Sequence, residues 1–200
     1  QYYSASLDEI LDISSTVEWE VNMIEGDLTD PFILNVASGT VEIDLSLSSG
    51  WNWISVNAVH EDMNINVAFS GAPTQASDYI KGQTVASTYY NDTYGWYPSF
   101  DISVEELYML KLANSGTMHY EGVLVDPAET PIDLASGWNW ISYLPTSPMD
   151  VNDALASVTL MAQDYIKGQI NASTYYNDTY GWYPSFSMQP YSGYMLKLAN

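Results

Sequence analysis

Apolar and polar positions alternate strictly over residues 17–23, where Glu18, Glu20 and Asn22 separate Val17, Trp19, Val21 and Met23. That period of two predicts a strand with one buried face. The segment Gly-Trp-Asn-Trp-Ile at residues 50–54 sets Trp51 and Trp53 on one face and predicts another strand. Residues 80–90 form a β-branched and aromatic run, residues 91–95 (Asn-Asp-Thr-Tyr-Gly) a turn cluster, and residues 96–100 a second run. Together they predict a hairpin. A second hairpin is predicted from residues 108–113, the Asn-Ser-Gly turn at 114–116, and residues 117–121. Residues 32–36 and 40–45, joined by Ala-Ser-Gly, copy that second pattern. A helical period appears over residues 150–158, where Val151, Leu155 and Val158 follow a capping Asp150, and Met63 and Val67 keep that spacing earlier.

The pattern is written twice. Residues 78–100 recur at 164–186 with 21 of 23 positions identical, differing only where Thr84 and Val85 become Ile170 and Asn171. Ser-Gly-Trp-Asn-Trp-Ile-Ser recurs at 49–55 and 136–142, and Tyr-Met-Leu-Lys-Leu-Ala-Asn at 108–114 and 194–200. Self-similarity of this kind marks a repeat architecture. The chain divides into an N-terminal β extension (1–43) that packs with the first unit, a first repeat (44–120), a connection (121–132) containing Pro127 and Pro131, and a second repeat (133–200). The predicted fold is mainly β: two tandem small β-sandwich or barrel units with a short helix each, plus N-terminal β-strands.

Charge narrows the possible partners. Among 200 residues there are 25 Asp plus Glu against 4 Lys plus Arg, a formal net charge of -21. All four bases are lysines, and they reduce to two positions used twice: Lys81 matches Lys167, and Lys111 matches Lys197. A nucleic-acid or anionic-membrane binder needs a basic patch, which this chain lacks. No apolar run approaches the roughly 20 residues that span a bilayer, so no membrane insertion is expected. Each lysine is expected either to have a fixed acidic partner, with Asp78 and Asp164 as candidates for Lys81 and Lys167, or to be solvated and simply inherited from the duplication.

The strand Gly50 to Ser55, repeated at Gly137 to Ser142, the block Ile80 to Gln83, repeated at Ile166 to Gln169, and Gly193 to Leu196 together carry a resemblance. The pattern resembles a β-repeat of secreted, multidomain cell-surface proteins, notably of Bacteroidetes and related bacteria. It covers roughly residues 44–200, and the first copy departs from it with Leu107 where the pattern prefers Gly193. The resemblance implies an extracellular β-module used in arrays and implies no activity. A chain beginning at Gln1 and rich in Ser, Thr, Asn and Tyr also reads as a processed, secreted protein of the cell surface.

Candidate chemistry is sparse. Cysteine is absent, which removes disulfides, thiolate metal sites and thiol catalysis. The two histidines, His60 and His119, occupy non-equivalent repeat positions, and Arg is missing, so no catalytic residues are assigned and no enzyme is expected. No cofactor is expected. Calcium is the one metal the carboxylates would suit, although no EF-hand-type loop is present. Asn91, Asn171 and Asn177 match the N-glycosylation acceptor pattern. Tyr89, Tyr90, Tyr94 and Tyr97, with their copies Tyr175, Tyr176, Tyr180 and Tyr183, offer an aromatic surface for a subunit or ligand. In the bland alternative Trp96 and Trp182 are core and the tyrosines pack on neighbouring units.

Two functions are weighed. The first is an extracellular, self-assembling structural protein, a homopolymer joined head to tail. In that reading the strand carrying Tyr194, Leu196 and Leu198 lacks the mate its twin has, and Gln1, Tyr2 and Tyr3 supply one to the next subunit. The second is a carbohydrate-binding adhesin module that stacks polysaccharide on the tyrosine hairpins.

Overall fold

The computed structural model describes residues 39–199. The chain divides into two compact units, and both repeats belong to the one that spans Val41–Asn200. The expectations for residues 1–38, including Gln1, Tyr2 and Tyr3, lie outside the described residues.

The protein is mainly β, as its alternation requires. The first repeat and the residues that flank it contain β1 (Thr40–Leu47), β2 (Gly50–Ile54), β3 (Ala58–Val59), α1 (Ile65–Ala68), β4 (Tyr79–Lys81), β5 (Ala86–Tyr89), β6 (Trp96–Tyr97), β7 (Tyr108–Leu112) and β8 (Gly116–Leu124). The second contains β9 (Gly137–Ile141), β10 (Met149–Asp150), α2 (Val151–Ala154), β11 (Tyr165–Lys167), β12 (Ala172–Tyr175), β13 (Trp182–Tyr183), β14 (Ser187–Met188) and β15 (Tyr194–Leu198). Each repeat builds one five-stranded antiparallel sheet with the same strand order, β2-β7-β4-β5-β6 and β9-β15-β11-β12-β13. The two helices are single turns capped by Asn64 and Asp150, whose side chains accept from the amides of Asn66 and Asn152.

Three expectations need correction. Residues 80–90 do not form one strand: they fold back at Gly82, whose amide bonds to the Val85 carbonyl, so β4 pairs with β5. Residues 108–113 and 117–121 are both strands, yet they do not pair with each other. A strand has two edges, and β7 spends both, on β2 and β4, so β8 joins a separate sheet of order β1-β8-β3. For the same reason the C-terminal strand is not an unpaired edge. Tyr194, Leu196 and Leu198 lie in β15, which is bonded on one side to β11 and on the other to β9.

The core of the first repeat lies between the five-stranded sheet and the β1-β8-β3 sheet. Ile43, Leu45 and Leu47 from β1 and Met118 and Tyr120 from β8 close over Ile54, Ile80 and Leu110. The second core gathers Ile141, Val151, Ile166, Trp182 and Leu196. There the covering element is the chain around Ile132 and Leu134, with no second sheet of the β1-β8-β3 kind among the described residues.

Candidate functional site

The strand Gly-Trp-Asn-Trp-Ile turns its asparagine inward and its tryptophans outward. Asn52 is buried and ties off the entry to β2, accepting from the Ser48 amide at 2.8 Å and donating to the Ser48 carbonyl at 2.8 Å. Asn139 repeats this with Ala135. Trp51 and Trp138 stay on the outer face and stand edge-on to Tyr79 and Tyr165 at 6.3 and 6.2 Å.

The free edges of these two strands meet the opposite repeat. Gln83 donates its side-chain amide to the Trp138 carbonyl at 2.9 Å and accepts from the Trp140 amide at 2.7 Å. Gln169 does the same to Trp51 and Trp53, at 2.7 and 2.8 Å. A carboxamide has one donor side and one acceptor side, so it stands in for a peptide group and continues the ladder. Main chain completes each edge: Leu107 donates to Trp140 and Ser142 to Glu105, while Gly193 donates to Trp53 and Ser55 to Tyr191. Eight hydrogen bonds, four on each side, therefore form a reciprocal clasp of the kind isologous pairing produces. At about 0.5–1.5 kcal/mol net for each bond, the clasp contributes on the order of 4–12 kcal/mol before the entropy of ordering is charged against it.

The lysines lie over the same tryptophans. Lys81 sits 5.5 Å from the ring of Trp51 and 5.6 Å from Trp140 of the other repeat. Lys167 mirrors it with Trp138 at 5.2 Å and Trp53 at 5.7 Å. Lys111 and Lys197 approach Trp51 and Trp138 at 5.9 and 6.0 Å. The expected acidic partners are thus corrected: every lysine is partnered by an indole face, an interaction worth about 0.5–1 kcal/mol at an exposed site. Asp78 and Asp164 are buried instead, each accepting two backbone amides, from Gln75 and Ala113 and from Met161 and Ala199. His119 and Asp44 form a solvent-exposed side-chain contact at 2.6 Å.

At the opposite edge of each sheet lies the aromatic hairpin. Trp96 and Trp182 are core, as the bland alternative has it, each 2% exposed. Asn66 on α1 accepts from the Trp96 amide at 2.6 Å, and Asn152 on α2 from Trp182 at 2.7 Å. Gly95 and Gly181 take φ of +61° and +62°, and a Cβ at either position would run into that asparagine. Tyr89 and Tyr175 donate to Asp92 and Asp178 at 2.7 and 2.6 Å. Those carboxylates, as the hydrogen-bond partners, hold both phenols above the ordinary tyrosine range. The other six tyrosines are exposed, from 48% at Tyr176 to 74% at Tyr94 and Tyr180. Tyr176, Tyr180 and Tyr183 alone line a concavity of about 410 Å³. Tyr90 pairs with Tyr97 as Tyr176 does with Tyr183, with ring centroids 6.4 Å apart in both.

The remaining candidates separate by environment. Asn91 and Asn177 are exposed, but their side-chain oxygens hold the turn, accepting from Thr93 and Tyr94 and from Thr179 and Tyr180. Asn171 is half-buried, with its side-chain oxygen enclosed and unpartnered. No group of three or more His, Asp or Glu is placed to hold a metal ion among the described residues. None of their helices is long and apolar enough to cross a membrane. Pattern assigns no role to Gln83, Gln169, Asn66 and Asn152, because single polar residues in turns and one-turn helices carry no periodic signal. Their one trace in the sequence is survival in both copies. No family model matches the chain, and no curated protein or solved structure matches it.

Proposed function

We propose that this protein is an extracellular structural protein of the cell surface that self-associates through its exposed tyrosine hairpins. One observation carries the reading: six exposed tyrosines stand in two equivalent triads, each on the sheet edge away from the clasp. A duplicated module that displays the same sticky surface twice can join like surfaces on other copies. The charge supports this route, because a molecule of net charge -21 with its lysines already seated on tryptophans has few cations left for opposite-charge contacts. Tyr and Trp supply large contact area at low conformational cost and recur at interfaces for that reason.

Sedimentation velocity and electron micrographs of the purified protein test the proposal. The native chain should form larger species as concentration rises. The variant Tyr94→Ser, Tyr97→Ser, Tyr180→Ser, Tyr183→Ser should stay monomeric with an unchanged far-ultraviolet spectrum. A native protein that remains monomeric at every concentration sinks the reading.

A second reading rests on the uncharged concavity between Tyr176, Tyr180 and Tyr183, whose faces suit a sugar ring. Saccharide-array binding lost on Tyr176→Ala would support a carbohydrate-binding adhesin module, and no binding across a broad array would reject it.

A further inference from the structure

We infer that the second repeat carries a docking groove for an extended strand of the β8 type, a binding surface independent of the tyrosine hairpins. In the first repeat Val56, Phe69, Ile102 and Leu110 share a core with Met118 and Tyr120 of β8. Their counterparts are Tyr143, Leu155, Met188 and Leu196, and these line an apolar groove of about 340 Å³. No strand stands in the place of β8 there among the described residues.

One wall of the groove has the attributes of a receptive edge. Ile132 and Leu134 correspond to Leu45 and Leu47 of β1, since both segments lead into the same asparagine lock, Ala135 with Asn139 in one and Ser48 with Asn52 in the other. Leu45 and Leu47, beside β8, are 7% and 5% exposed, whereas Ile132 and Leu134 are half-buried. In the first repeat β1 hydrogen-bonds to β8. In the second, the backbone amides and carbonyls of Ile132, Asp133 and Leu134 have no hydrogen-bond partner among the described residues. An unpaired edge beside an apolar trough is what β-strand addition requires: the main chain pairs along the edge while alternate side chains fill the trough.

The occupant is set by the same comparison. It is an extended polypeptide segment with apolar side chains at alternate positions, as β8 places Met118 and Tyr120 inward and His119 and Glu121 outward. Tyr143 stands where the first repeat has Val56 and forms part of the groove lining. A lipid chain offers no hydrogen-bond partner to the backbone of residues 132–134, and a polysaccharide lacks the regular alternation of donor and acceptor that pairs along a strand edge.

The test uses the whole protein and a labelled synthetic peptide copying residues 115–125. Fluorescence anisotropy should give saturable binding, and hydrogen exchange should slow over residues 130–136 when peptide is added. A peptide with Met118→Asp and Tyr120→Asp should bind at least about tenfold more weakly, since two apolar side chains lose their burial. The protein variant Ile132→Asp, Leu134→Asp should lose binding to the same degree. If that variant does not fold, the exchange map of the native protein decides alone. Absence of binding at millimolar peptide, equal binding of the acidic peptide, or protection confined to Thr40–Leu47 would each overturn the inference.

Discussion

At the scale of single residues, polar groups here act by shape more than by charge. Gln83 and Gln169 work because a carboxamide reproduces a peptide unit, and neither glutamate nor lysine could serve an edge that presents both a carbonyl and an amide. The aspartates at 78 and 164 are buried acceptors and the lysines are indole caps, so the equal spacing of Asp and Lys in each repeat is no ion pair. One carboxylate is poorly placed. Glu106, beside the clasp, is pushed above the ordinary carboxylate range chiefly by burial, with Glu105 adding repulsion and the Tyr108 hydroxyl opposing. A raised folded-state value means that Glu106 favours the fold fully below its unfolded pKa and loses that contribution as pH rises through the folded one. Glu106→Gln should therefore raise the melting temperature at pH 7 and give no gain near pH 4. The effect should be no more than about 1 kcal/mol for a half-exposed charge. Parallel thermal melts at the two pH values would reveal an equal shift at both if the account were wrong.

At the scale of elements, the pattern legible in the sequence was the strand, and the illegible part was which strand it joins. Alternation and turn residues located the Gly-Trp-Asn-Trp-Ile strands and the turn at residues 91–95 with its copy. They could not reveal that β7 has its two edges saturated and so hands β8 to another sheet, because edge occupancy depends on residues 28 to 62 positions away. The exception to the repeat has an element-level cause. Leu107 and Gly193 hold equivalent positions yet face each other across the clasp: a Cβ on Gly193 would lie 2.7 Å from that of Leu107. Leu107 is fully buried, so two leucines would collide and two glycines would leave a hole. Gly193→Leu should cost about 1–3 kcal/mol or more through overpacking, and Leu107→Gly at least about 2–5 through the lost side chain. The double exchange should recover part of the combined loss, a coupling measurable by denaturant titration of all four forms. Simple additivity would show that the two residues do not share this space.

At the scale of the whole molecule, the acidic charge and the aromatic surface act in opposite directions. A net charge of -21 sets up repulsion between copies, screened over about 8–10 Å at moderate ionic strength. Apolar contact through the tyrosine triads is not weakened by salt in this way. Self-association should accordingly strengthen between about 0.01 and 0.5 M sodium chloride, in contrast to assemblies built on opposite charges. Light scattering across that series gives the sign directly, and dissociation by salt would point to ionic contacts instead.

The sequence by itself determined the duplication, the mainly β character, a short helix in each repeat and the scarcity of positive charge, since each is written in local periodicity or in counting. The three-dimensional arrangement decided the rest: where the lysines go, what the paired glutamines do, why one repeat has leucine where the other has glycine, and why β15 offers no free edge. The glutamine contacts, the Leu107–Gly193 pairing and the second indole over Lys81 and Lys167 depend on contact between the two copies, while β15 is closed by strands of its own repeat. A repeated sequence shows that its halves are alike, but only their packing shows which surfaces meet, and the reciprocal clasp turns two similar halves into one compact unit.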